Sequence, residues 1–308
     1  MFLTWVEQVK GIELTLWRGE ERLESRCFPP YGPAAGGQNT DPDALRAACE
    51  GWLGGLGVSA LRVVLVSGLD FRGPASGSCR VDKLARAFGA CLCAIPLWWE
   101  EDLPESAQVS GFPGIKRKGI YDRIAHEAAL CRLERESGQN LPAGIIVASL
   151  GEGVSVAAYA GGRLLDVNNA RDGEGPMGWK FCGSLPTEPF VHWAFTGGKT
   201  RAQLESALDE EGGWAAYKGM MSPEEWEEIM AYQVVKEIGA MRAVLKQRVD
   251  KIVLTGEMAS LSGMARIKKR LPPDPAVREI PGADRALGLA RIWLTDMRLA
   301  AERGGKLD

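Results

Sequence analysis

Apolar and polar residues alternate along positions 2–9 and again along 12–17, on either side of Gly11, a pattern that predicts two half-buried strands joined by a tight turn. Arg18-Gly19-Glu20-Glu21 then reads as a hairpin tip. After the proline- and glycine-rich stretch 29–42, the apolar spacing of 43–53 predicts a helix with Asp41 as its N-cap. The β-branched run 61–66 predicts a buried strand, 81–88 a helix and 90–95 a second buried strand, an α/β alternation. Residues 120–138 form an amphipathic helix that separates two halves. The second half restarts at 144–150 with an apolar strand, followed by a glycine turn and the strands 154–159 and 163–167, so its outline repeats that of the N-terminus. A long helix over 223–246, a strand over 251–255 and a terminal helix over 285–303 complete the pattern.

Composition narrows the class. With 308 residues, 45% apolar and 25% charged, the chain has the make-up of a folded globular protein of about two domains. Its 37 basic and 40 acidic residues leave a net charge of -3, so no global field draws in nucleic acid or an anionic membrane, and neither is expected as a partner. No apolar run approaches the roughly 20 residues needed to span a bilayer, and positions 1–10 lack the basic and apolar pattern of a secretory signal. Seven cysteines (Cys27, Cys49, Cys79, Cys91, Cys93, Cys131 and Cys182) form no framework, which fits a reducing, cytoplasmic setting. Cys91 and Cys93 read as small residues of a buried strand, too close for an unstrained disulfide and without a second pair to complete a zinc site. The two histidines, His126 and His192, stand in no metal-ligand pair, which argues against histidine-centred chemistry.

Three glycine-bearing loops are the candidates for ligand contact: Gly151-Glu152-Gly153 with Ser155 after the strand 144–150, Asp172-Gly173-Glu174-Gly175-Pro176, and Thr255-Gly256-Glu257-Met258-Ala259. Glycine at such places lets backbone amides approach a phosphate closely. Alone, each is weak evidence, since a glycine turn between strands more often holds no ligand.

Together, and in this order, they carry a resemblance. Ser110-Gly111-Phe112-Pro113-Gly114-Ile115-Lys116-Arg117-Lys118-Gly119-Ile120, the loop 166–176, the helix from Ala231 to Met241 and the strand ending Val253-Leu254-Thr255-Gly256 resemble the butyrate kinases of the acetate kinase family. The resemblance implies two ribonuclease H-like α/β domains of the actin-like, sugar kinase and Hsp70 superfamily. The first would span 1–120, with 285–308 packing back on it, and the second 121–284. It also implies a homodimer, and transfer of the ATP γ-phosphoryl to a short-chain carboxylate with Mg²⁺, by positioning and charge neutralisation. Nucleotide contact then falls to Gly151, Gly153, Ser155, Thr255 and Gly256.

The departures from the family fall where its chemistry belongs. Residues 5–11, with no hydroxyl side chain, replace an Asn-Pro-Gly-Ser-Thr type phosphate turn, and Val66-Ser67-Gly68-Leu69 replaces Arg-Gly-Gly. Ile95 stands for an aspartate, Ser149 for a histidine and Phe181 for an arginine. Arg72 is near, but in no matching motif. A phosphoryl transition state needs donors or cations at such places, and losing one typically costs about 10²- to 10³-fold in rate. The expectation is a catalytically impaired protein that binds or regulates, with an active relative as one partner. The alternative is a divergent carboxylate kinase whose site is rebuilt from Lys180, Arg72, Asp172 and Glu174.

Two further changes bear on Mg-ATP. Glu152 and Glu257 replace glycines of the polyphosphate turn and the adenosine loop, and a carboxylate about 4 Å from a phosphate oxygen repels by roughly 4 kcal/mol at an effective dielectric of 20. Glu152 turned to solvent, or ligating Mg²⁺, are the other readings; weak or absent nucleotide binding is the expectation. Trp98, Trp99, Trp179, Trp193 and Trp214 either fill the emptied cleft or form a contact surface.

Overall fold

The computed structural model describes residues 1–8, 11–28, 42–67, 78–138, 140–282 and 284–302. Arg72, Asp41, Gly68 and Leu69 lie outside the described residues, as do Val9 and Lys10 of the first turn. The chain divides into two units, Met1–Leu97 with Asp284–Asp308, and Trp98–Ala283.

In the first unit β1 (Phe2–Gln8) and β2 (Gly11–Arg18) pair antiparallel from Phe2↔Trp17 to Gln8↔Gly11, and β3 (Glu21–Phe28) continues the meander. After α1 (Pro42–Gly55), β4 (Val63–Ser67) pairs parallel with β1; after α2 (Ser78–Ala87), β5 (Cys91–Ala94) pairs parallel with β4. The sheet order is β3-β2-β1-β4-β5. Alternating strand residues Leu3, Trp5, Leu14, Leu16, Val64 and Val66 bury one face against Trp52 and Leu53 of α1 and Val81 and Leu84 of α2. The strand expected to be buried around 90–95 is instead the last in the sheet among the described residues, and its Cys91 is exposed. Its run of small apolar residues resembles a central strand, but nothing pairs with its outer side there.

The second unit opens with a ribbon of β6 (Trp99–Glu101) and β7 (Gly119–Tyr121), with α3 (Glu105–Gln108) between them. This ribbon places 98–120 with the second unit, whereas the family pattern put that segment in the first. Then come α4 (Arg123–Glu136), capped by the Asp122 side chain, and a second meander of β8 (Gly144–Leu150), β9 (Val154–Ala160) and β10 (Arg163–Val167). Three short helices, α5 (Thr187–Thr196), α6 (Arg201–Asp209) and α7 (Gly213–Tyr217), lead to α8 (Pro223–Val244), which starts in a Ser222/Glu225 capping box. β11 (Lys251–Thr255), α9 (Leu261–Arg270) and β12 (Val277–Glu279) finish a sheet of order β10-β9-β8-β11-β12. Both units therefore share one strand order, a three-stranded meander followed by two parallel strands. The last helix, α10 (Arg285–Glu302), groups with the first unit and packs on β1, β2 and β4.

Strand alternation sorts the second core into two faces. Ile146, Ala148, Leu150, Val156 and Leu254 face α8 and α9, while Ile145, Val147, Ala157, Tyr159 and Val253 face α4. No described helix is long and apolar enough to cross a membrane.

Candidate functional site

The glycine loop sits at the tip of the β8–β9 hairpin, whose register places Ser149 opposite Ser155 and beside Thr255 of β11. By the same alternation these three hydroxyls share the α4 face, and all are buried. Ser155 Oγ lies 2.8 Å from Nε2 of His126, whose Nδ1 lies 3.0 Å from the Tyr159 hydroxyl. Burial pushes the imidazole down to about 3, so it is neutral. Thr255 Oγ1 donates to the Gly282 carbonyl at 3.1 Å. The hydroxyls assigned to nucleotide contact are thus engaged inside the second unit.

At the tip itself the segment 178–181 is stitched to the turn. Trp179 N donates to Gly151 O at 3.1 Å, and the amides of Lys180 and Phe181 donate to Glu152 O at 2.8 and 3.0 Å. The fit is close: a Cβ on Gly178 would meet the backbone of Glu152 and Gly153, and one on Gly153 would lie 2.6 Å from Phe181 and 2.8 Å from Trp98. Phe181 is buried, its ring 4.7 Å from that of Trp98. Glu152 neither points alone to solvent nor stands as an unbalanced charge, since its Oε1 lies 2.7 Å from Lys180 Nζ. Gly256 closes against Leu150, and Met258 N donates to Leu150 O at 2.9 Å, so the two glycine loops lie side by side.

The loop 166–176 is tied down by a residue whose role the sequence did not reveal. Arg117 donates from Nε to Glu174 Oε1 at 2.8 Å, from Nη2 to Glu174 Oε2 at 3.0 Å and Asp166 Oδ1 at 3.2 Å, and from Nη1 to Ala107 O at 2.9 Å. Glu174 and Asp166 hold the guanidinium above its ordinary pKa, against the effect of burial. Glu174 Oε2 also accepts from Asn169 N at 3.0 Å, and Asp172 Oδ2 from Asn169 Nδ2 at 2.8 Å. Asn168 bridges Val156 N and Val154 O, fixing the loop to β9. Glu237 of α8 belongs to the same charge cluster; burial raises its pKa, and Glu174 and Asp166 add to the rise. Lys180, Asp172 and Glu174, the residues expected to rebuild a site, each already hold a partner from this chain. Among the described residues, no three His, Cys, Asp or Glu side chains gather as a metal-holding group. Ile95 directly follows β5 of the first unit, buried, with its amide donating to Val66 O.

The chain is 37% identical over 174 residues to a probable butyrate kinase of Listeria monocytogenes, covering 52% of this chain and 49% of that one. It is 32% identical over 230 residues to butyrate kinase 2 of Clostridium acetobutylicum, covering 70% and 65%. The chain is a homologue of the butyrate kinases. It spans about half the length of the first of these relatives. No family model matches. Among solved structures, a propionate kinase from Francisella tularensis superposes with a TM-score of 0.63 at 11% identity, covering 94% of this chain and 98% of that chain. Acetate kinase from Porphyromonas gingivalis gives 0.61 at 15% identity, covering 93% and 90%. At such identity the match concerns the fold, and it is the fold class expected, paired ribonuclease H-like units.

Within the butyrate kinase homologue the tryptophans fall into separate groups. Trp214 and Trp226 are buried and pack with Trp179, at ring distances of 5.5 to 6.1 Å. Trp193 on α5 is exposed, as are Val191 and Phe195. Trp98 covers the glycine turn, and Trp99 lies under the Arg123 guanidinium. Trp214, read from the sequence as cleft filler or contact surface, is therefore interior to the second unit, as is Trp226.

Proposed function

We propose that this butyrate kinase-like protein is impaired in phosphoryl transfer and acts by binding, as a regulatory partner in the cytoplasm. The observation that carries the reading is the packing of Phe181 on Trp98 over Gly153, at the position where the family resemblance expects an arginine. A ring pair offers no hydrogen-bond donor to a transferring phosphoryl group, and the adjacent cation, Lys180, is neutralised by Glu152. In this reading a ring pair and an already paired lysine do not fit a bound triphosphate, and Mg-ATP supplies no catalytic step. Its partner in this reading is a second copy of itself, or an active relative. The apolar surface of Val191, Trp193 and Phe195 on α5 favours such an association.

A coupled assay for ADP release with acetate, butyrate and valerate as acceptors tests the reading. Turnover indistinguishable from the assay without protein supports it. Chain-dependent turnover supports the alternative, a divergent ATP-dependent short-chain carboxylate kinase.

A further inference from the structure

Cys91 and Cys93 stand two residues apart on β5, and side chains two apart on a pleated strand share a face. The residue between them, Leu92, packs with the cluster under α1 and α2, so both thiols look out of the opposite face. That is the side of α10, where burial first and Asp296 second raise the pKa of the Cys93 thiol, so a bound metal must displace its proton. Because β5 ends its sheet among the described residues, Cys91 is exposed and Cys93 half-buried, and both are free thiols.

The ladder to β4, Val63↔Cys91 and Leu65↔Cys93, holds the strand extended. A rise of about 3.3 Å per residue sets the two Cα atoms roughly 6.6 Å apart, at the upper limit of what a disulfide spans. Two thiols that share a face yet close poorly on each other are suited to converge on a third atom. We infer that Cys91 and Cys93 form a two-thiolate site for a soft monovalent cation, Cu(I). Thiolates favour Cu(I), zinc and iron–sulfur clusters, and of these Cu(I) is the one whose shell two sulfurs in line complete. Zinc asks for four ligands. Binding forms two Cu–S bonds, releases two thiol protons to solvent and leaves copper and sulfur in their oxidation states.

Anaerobic titration of the full chain with Cu(I), in competition with a chromophoric Cu(I) chelator, tests the site. The wild type should withdraw one equivalent. Cys91→Ser and Cys93→Ser should each lose retention, because either leaves Cu(I) with a single thiolate. Cys27→Ser, at an exposed thiol on β3, should leave it unchanged. Thermal melting of the serine variants confirms that they are folded, since a hydroxyl replaces a thiol at a partly exposed position. Wild-type retention in either single variant, or complete surrender of copper by the wild type, overturns the inference.

Discussion

Lys180 Nζ lies 2.7 Å from Glu152 Oε1, so the carboxylate inserted into the glycine turn arrives with its own counter-ion. Both side chains are partly solvated, and a pair of this kind is worth about 0–1 kcal/mol, which makes it inexpensive to open. The consequence for anions is specific: Glu152 masks a lysine as well as adding a negative charge. Glu152→Gly should therefore give a larger melting response to millimolar Mg-ATP than the wild type, for which no resolvable shift is expected. A ligand at 100 times its Kd adds about 2.7 kcal/mol to a native state that alone binds it, an easily resolved effect. Adding Lys180→Met to Glu152→Gly should remove the gain. An equal response in the single and double variants would show that Lys180 plays no part.

The close approach of 178–181 to the hairpin tip sets an order of stabilities. Gly153→Ala pushes a methyl into the rings of Phe181 and Trp98, which can shift, and should cost about 1–3 kcal/mol in urea unfolding. Gly178→Ala meets the backbone of Glu152 and Gly153 instead, which cannot shift cheaply, and should cost more. The reverse order would mean that the tip is looser than its hydrogen bonds indicate.

His126 gives a pH signature. Its folded pKa is pushed down to about 3 by burial, against 6.5 as the ordinary value. Between these values the unfolded chain binds the extra proton, so the contribution is fully present above pH 6.5 and is lost as pH falls toward 3. One proton corresponds to ~1.4 kcal/mol per pH unit. The difference in unfolding free energy between wild type and His126→Gln should therefore narrow on going from pH 7 to pH 5. A difference independent of pH would contradict this.

Much of the fold was legible because meanders and parallel strands leave local marks: alternation along β1 and β2, apolar runs in β8 and β11, and glycine turns between them. The strand Lys251–Thr255 and the long helix Pro223–Val244 follow from period alone. The edge position of β5 was not legible, because Cys-Leu-Cys-Ala reads the same with one neighbour or two. The ties of Arg117 to Asp166 and Glu174, and of Lys180 to Glu152, join residues far apart in the chain. Local patterning carries no trace of such pairs, so Glu152 looked unbalanced and Arg117 stood out only as part of the 110–120 family resemblance.

Arg117 should be the residue on which the order of 166–176 depends. Arg117→Ala leaves Asp166 and Glu174 without their bidentate partner, and charged hydrogen bonds of this kind contribute about 1.5–3 kcal/mol. The amides of Asn169 and Asp172, which donate to Glu174 and Asn169 side chains, should then exchange with solvent deuterium markedly faster. Arg117→Lys should rescue little, because an ammonium cannot span both carboxylates. Unchanged exchange at these amides in Arg117→Ala would show that the loop's other ties, through Asn168 and Asn169, hold it without Arg117.

On the proposed function, the residues around the glycine turn do not support transfer of a phosphoryl group to a carboxylate. Trapping acyl phosphate as the hydroxamate, with wild-type protein, millimolar Mg-ATP and butyrate, measures that transfer directly. No product above the protein-free background is expected. Hydroxamate that accumulates in proportion to protein, and disappears without butyrate, would contradict it.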